Sequence, residues 1–251
     1  DVLPFVTAKQ SFDPQSFYRS RRSEFHGNAG VDIKYALSSN IILDATINPD
    51  FAQVEADPAV LNLSAFETFY PEKRPFFVEG TQIIRFTTFG GDFGPGMFYS
   101  RRIGRAISED EVDVSGVKEI VDVPQITTIL GAAKISAKTN NGLSLGILQA
   151  FTQEEKATVL NTNGTTSEQI VEPLAHYNVI RLRQDILGNS NIGMIFTSTA
   201  KHYRAPAFSN GYDWSIKLDD NTYLANGFLA LSHRTNSLGE RMTGSAGKFG
   251  F

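Results

Sequence analysis

The sequence has no cysteine. That excludes a disulfide framework and any thiolate metal site, and it leaves the redox compartment open. No apolar run approaches the roughly 18 residues of a membrane-spanning helix. No charged stretch followed by an apolar one precedes the opening DVLPFV, so any signal peptide is expected to have been removed or to lie outside this chain. The formal net charge is -4, without the basic footprint of a nucleic-acid binder, so nucleic acid is not expected as a partner.

Motifs that carry chemistry are also scarce. The four histidines, His26, His176, His202 and His233, are scattered, and none stands in the H-E-x-x-H pattern of a zinc protease. Ser100 lies in YSRR rather than in a G-x-S-x-G elbow. The glycines of FGGDFGPGMF lack the Lys-Ser/Thr ending of a phosphate loop. Asp50, Glu55, Asp57 and Asn62 supply hard oxygen ligands suited to calcium, but not at EF-hand spacing. No catalytic residue, metal or cofactor is therefore assigned.

What is present is a rhythm of hairpins. The 251 residues allow one large β domain or two smaller ones, with 41% hydrophobic and 20% charged residues in an ordinary globular balance. In GVDIKYALSSNIILDATINPD, Val31, Ile33, Tyr35 and Leu37 share one face and Asp32 and Lys34 the other. After Ser38-Ser39-Asn40 the alternation resumes with Leu43, Ala45 and Ile47, as in a hairpin with one apolar face. Residues 127–138 and 143–153 form a second hairpin around Asn140-Asn141-Gly142, a strong turn signal. A third turns at Gly188-Asn189-Ser190-Asn191. A fourth carries Tyr212, Trp214, Ile216 and Leu218 against Asp213, Ser215 and Lys217 and turns at Asp219-Asp220-Asn221. Residues 3–11 suggest a first strand weakened by Pro4, and the closing GSAGKFGF starts another. Residues 13–27 and 154–173 read as polar loops.

Turns of about two to four residues thus alternate with much longer connections, the asymmetry of transmembrane β-barrels. Strands of about eight to twelve residues suit a tilted membrane span. A water-soluble antiparallel sandwich alternates in the same way and stands as the other reading.

The chain is organised around residues 48–105, where the strand period lapses. A loop this long inside a β domain is functional or disordered, and this one is too rich in Phe, Val, Leu and Ile for disorder. It is expected to fold as a plug-like insert. Glu55, Asp57, Glu67, Glu72 and Glu79 crowd it. They are expected to pair with Lys73, Arg74, Arg101, Arg102 and Arg105 rather than to act as glycosidase carboxylates. In FETFYPEKRPFFVEG, the Phe side chains and Tyr70 supply bulk and Pro71 and Pro75 stiffen the backbone. The candidate binding residues are Glu67, Glu72, Lys73, Arg74, Phe76, Phe77, Glu79, Arg101, Arg102 and Arg105. They would form either an anchored wedge or an aromatic and charged platform for a ligand such as a glycan.

The run NPDFAQVEADPAVLNLSAFETFYPEKRPFFVEG, followed by FYSRRIGR, resembles the signature of a family of unknown function in Gram-negative envelopes. GVDIKYALSSNIILDATINPDF and VIRLRQDILGNSNIGMIF resemble it too. The likeness covers most of residues 28–202. Members are predicted outer-membrane β-barrels, commonly placed after a domain similar to family-9 carbohydrate-binding modules. No such domain is expected within residues 1–251. The resemblance implies an all-β, antiparallel up-and-down transmembrane barrel over residues 1–251, a single domain expected to be incomplete at its C-terminus. It carries no catalytic residues. The implied role is binding or transport, with outer-membrane lipid, glycans or their products, and other envelope proteins as partners. A membrane-associated hydrolase acting on carbohydrate and a structural, partner-docking barrel are the alternatives.

Overall fold

The computed structural model describes residues 1–13, 22–49, 69–86, 96–236 and 238–251. Among the described residues there are thirteen strands: β1 (Val2–Asp13), β2 (Arg22–Ser38), β3 (Ile41–Ile47), β4 (Val117–Asp122), β5 (Ile129–Lys138), β6 (Leu143–Thr152), β7 (Glu155–Asn161), β8 (Thr166–Glu172), β9 (Ala175–Ile186), β10 (Ser190–Lys201), β11 (Ala207–Leu218), β12 (Tyr223–Thr235) and β13 (Arg241–Gly250). Two four-residue helices, α1 (Pro75–Val78) and α2 (Thr81–Ile84), precede β4. Among the described residues strand makes up 62% and helix 7%, so the fold is all-β.

Ten strands form one antiparallel sheet in the order β1-β2-β3-β5-β6-β9-β10-β11-β12-β13. Neighbours in this order follow one another up and down, with β4, β7 and β8 set aside in a second, three-stranded sheet. The barrel expected from the sequence is not closed: among the described residues β1 and β13 stand at the two ends of the large sheet. Pro4 sits on edge strand β1 opposite Val31; an edge strand tolerates a residue that lacks the N–H.

The hairpins read from the sequence turn where expected. Gly142 has φ +83°, a left-handed conformation that an L side chain resists. Asp219, Asp220 and Asn221 also take positive φ, tolerated by Asx residues. The tight turns are tied sideways. Asn40 Nδ2 donates to Asn140 Oδ1 at 3.2 Å, Gln184 Nε2 to the Asn141 carbonyl at 2.8 Å and Asn189 Nδ2 to Asn221 Oδ1 at 3.4 Å.

Two stretches read as loops behave differently. Residues 154–173 contain the β7–β8 hairpin, and β2 already begins at Arg22 inside the stretch 13–27. In β7, Glu155, Ala157 and Val159 are buried while Lys156 is exposed. That pattern becomes a strand only once β4, distant in sequence, supplies the partner.

The two faces of the large sheet differ in chemistry. One carries Tyr35, Ile47, Ile180, Met194, Tyr212 and Leu229, all 40% or more exposed. The other carries Asp44, Lys134, Arg181 and Asp213, all 9% exposed or less. The larger apolar core lies on this second, polar face. There Phe77, Ile84, Phe86 and Ile103 meet Leu148, Ala150, Tyr177, Val179 and Ile195. A second core of Ile107, Val112, Ile120, Val123, Ala157, Val159 and Val171 lies at the three-stranded sheet.

Candidate functional site

The segment after β3 is described in part, over residues 69–86 and 96–105, and these lie against the polar face. Pro75 opens α1 at its first turn, where the missing N–H costs nothing. Gly80 follows in a left-handed conformation, φ +65°, with Ser136 close beneath it. A side chain there would be strained and would press on β5, so glycine lets α1 turn into α2 directly over the sheet.

Arg74 is the centre of the first cluster and is only 7% exposed. Its Nε donates to Glu72 Oε1 at 2.7 Å and one Nη to Glu72 Oε2 at 2.6 Å, a bidentate fork. The guanidinium also donates to the carbonyls of Ile103 at 2.7 Å and Ser100 at 2.8 Å. Ser100 Oγ closes the circle by donating to Glu72 Oε2 at 2.5 Å. Arg74 lies 4.2 Å over the Phe77 ring. Beside it, Tyr99 Oη accepts from the Tyr70 N–H and donates to the Tyr70 carbonyl. Burial alone would raise the Glu72 carboxyl, but the hydrogen bonds and charge of Arg74, with help from Ser100, outweigh it and hold the pKa below the ordinary carboxylate value.

The second cluster joins this segment to the strands. The buried Lys134 ammonium donates to the Phe76 carbonyl at 2.7 Å and the Glu79 carbonyl at 2.5 Å, capping α1 from below. It lies 4.9 Å from the centre of the Phe76 ring and 3.4 Å from Asp44 Oδ2. Lys34 on β2 pairs with Glu79.

The third cluster ties Arg105 to two carboxylates, Glu111 and Glu172, each at 2.5 Å, and Lys201 pairs with the other oxygen of Glu172. The hydrogen bond from Arg105 lowers the Glu111 pKa, and the same bond, offset in part by burial, raises that of Arg105.

Of the residues singled out from the sequence, Glu72, Arg74, Phe77 and Ser100 therefore come together, and Phe76 and Glu79 meet Lys134 and Lys34. Arg105 stands apart, in the third cluster. Arg101 lies 5.8 Å over the Tyr70 ring. Lys73 and Arg102 are exposed, and the Lys73 N–H donates to Glu72. Glu67 lies outside the described residues, as do Asp50, Glu55, Asp57 and Asn62. Sequence reasoning missed Lys134, Glu172, Lys201, Arg181 and Asp213. The only signal for Lys134 and Arg181 was a charge on a strand whose opposite face is apolar. Among the described residues, no group of three or more His, Asp or Glu could hold a metal ion.

A family model described as Domain of unknown function (DUF5916) matches residues 1–251. The chain belongs to this family. Neither the curated proteins nor the solved structures contain a match. Family membership brings no assigned activity, so the chemistry rests on the three clusters. In each, cations and carboxylates satisfy one another and clamp chain segments together. Glu72, held ionised against Arg74, is poorly placed as a general acid, which needs a raised pKa.

Proposed function

We propose that this chain is part of an outer-membrane β-barrel that binds or passes polar solutes. In this reading residues 69–86 and 96–105 are the described parts of an insert and rest on the inner face of the wall. One observation carries it: the exposed face of the ten-stranded sheet is apolar, while the face beneath the insert is charged. A sheet in water buries its apolar face; a barrel wall in lipid turns it outward and keeps polar groups inside. Strands of ten to thirteen residues, β5, β6 and β9 to β13 among them, have the length for a tilted span. No helix of the described residues is long and apolar enough to cross a membrane, so any crossing would be by strands.

The turns β2–β3, β5–β6, β9–β10 and β11–β12 gather at one end, and the two longest connections, from β3 to β5 and from β6 to β9, lie at the other, which supports an arrangement with short turns on the periplasmic side and long loops outside. Glycans or their breakdown products as solutes, and other envelope proteins as partners, rest on the family resemblance. Ile180→Arg is the test. Near the bilayer midplane it should cost about 2–4 kcal/mol of folding stability in lipid vesicles. If the parent chain instead stays monomeric and folded without detergent, and Ile180→Arg costs nothing, the membrane reading fails.

A further inference from the structure

On the part of the polar face under the insert, charges are matched. Lys34 and Lys134 stand against Asp44 and Glu79, and Arg181 against Asp213. Nearer the tight turns the balance changes. The register sets Asn191, Ser215 and Asn226 side by side on β10, β11 and β12, on the face shared with Asp213. Alternation brings Arg183 of β9, Lys217 of β11 and Lys248 of β13 to the same face. Strand spacing and rise put the backbones of these three cations about 7 to 12 Å from that of Ser215.

Among the described residues the nearby carboxylates are occupied. Asp185 lies opposite Asn191 and is neutralised by Lys138 at 3.3 Å and Arg183 at 3.5 Å. Asp213 is closed off by the Arg181 fork. Asp219 and Asp220 stand in the turn beyond Leu218, past the end of the strand. Among the described residues the side chains of Asn191, Asn226 and Lys217 make no hydrogen bond or ion pair, and the Arg183 Nε is buried without an acceptor. The patch is partly open to solvent: Arg183, Asn191, Ser215, Lys217 and Asn226 are half-buried and Lys248 is exposed.

We propose that this patch binds a polyanionic solute carrying carboxylate or phosphate groups. Donors from two asparagines and a serine line the centre, and three cations surround it, the arrangement that favours anions in pores and binding grooves. The proposal narrows the solute class of the barrel reading and rests on that reading for its place inside a lumen; the patch itself does not depend on a membrane.

The test is isothermal titration of the full chain in neutral detergent with citrate, with pyrophosphate, and with trehalose as an uncharged control. At least one anion should bind and trehalose should not, with affinity falling as salt rises. Lys217→Gln with Lys248→Gln should weaken anion binding by about tenfold or more, the weight of a charge-assisted hydrogen bond. Lys118→Gln, the loss of one positive charge at an exposed position of β4, should leave it unchanged. Citrate shows a carboxylate site and pyrophosphate a phosphate site. Absence of binding at millimolar anion, equal binding of trehalose, or a double variant with parental affinity overturns the proposal. A chain that folds without detergent and still binds the anion overturns only the membrane reading.

Discussion

Arg181 and Asp213 give the sharpest test of how the sheet is held. The guanidinium donates to both carboxylate oxygens at 2.7 Å, and the two residues are 1% and 4% exposed. They meet above Gly193, where an added Cβ would come within 2.5 Å of an Arg181 nitrogen and 2.6 Å of an Asp213 oxygen. Phe86 lies over the guanidinium, 5.5 Å from ring centre to Cζ, so the pair also supports the segment above. Asp213→Leu leaves the arginine charged, enclosed and unpaired, and Arg181→Met does the same to the aspartate. Breaking such a pair costs about 3–5 kcal/mol, whereas replacing both partners by apolar groups is close to neutral. Each single variant should therefore lower unfolding free energy by about that amount, and the double variant should regain most of it. The coupling in the double-mutant cycle should be at least about 2 kcal/mol. Urea unfolding in detergent, followed by fluorescence of Trp214, the one tryptophan, measures all three. Additive losses, or single variants within about 1 kcal/mol of the parent, would refute the argument.

Further outcomes follow from the other clusters. Because the folded pKa of Glu72 is depressed, its pairing stabilises above the ordinary pKa of about 4.3 and is lost as pH falls through the lower folded value; the stability gap between parent and Glu72→Gln should be present at pH 7 and shrink toward pH 3, and a pH-independent gap would count against it. Lys134→Met removes the donor from the Phe76 and Glu79 carbonyls, at about 1–3 kcal/mol for groups left unpaired, and hydrogen exchange should rise in residues 76–85 while the β9–β10 ladder keeps its protection. Gly80→Ala should destabilise by about 1–2 kcal/mol through its positive φ and its contact with Ser136, with thermal unfolding as readout. Under the barrel reading, cysteine labelling of intact cells should reach Asn163→Cys in the long connection and not Asn141→Cys in the tight turn; the reverse would invert the topology.

Alternation made the strands flanking tight turns legible, because neighbouring residues supply both the period and the turn. Val31 to Leu37 needed only the period of two, and Asn141-Gly142 only its turn chemistry. The small sheet was not legible. Val117–Asp122 is short and charged, and its partner lies more than thirty residues on in the sequence. The Glu72–Arg74 fork was half legible, since the two residues sit close in sequence, but Ser100 acquires its role only when residues 69–86 and 96–105 come together. Arg181 and Asp213 were invisible as a pair. They are 32 positions apart, and only the register of β9, β10 and β11 makes them neighbours. Closure of the sheet is likewise a property of edges, which no local pattern encodes.

The knot of Arg105, Glu172 and Lys201 has a consequence for the order in which the protein is made. Its members come from the segment before β5, from β8 and from the end of β10, so it cannot tighten until Lys201 has emerged. Synthesis runs from the N-terminus, and for most of that time Arg105 waits without its second carboxylate, Glu172, which in turn awaits Lys201. The earlier hairpins can pair locally during this interval. The knot at the loop end sets late, which keeps the unfinished chain loose there until the strands that complete it have arrived.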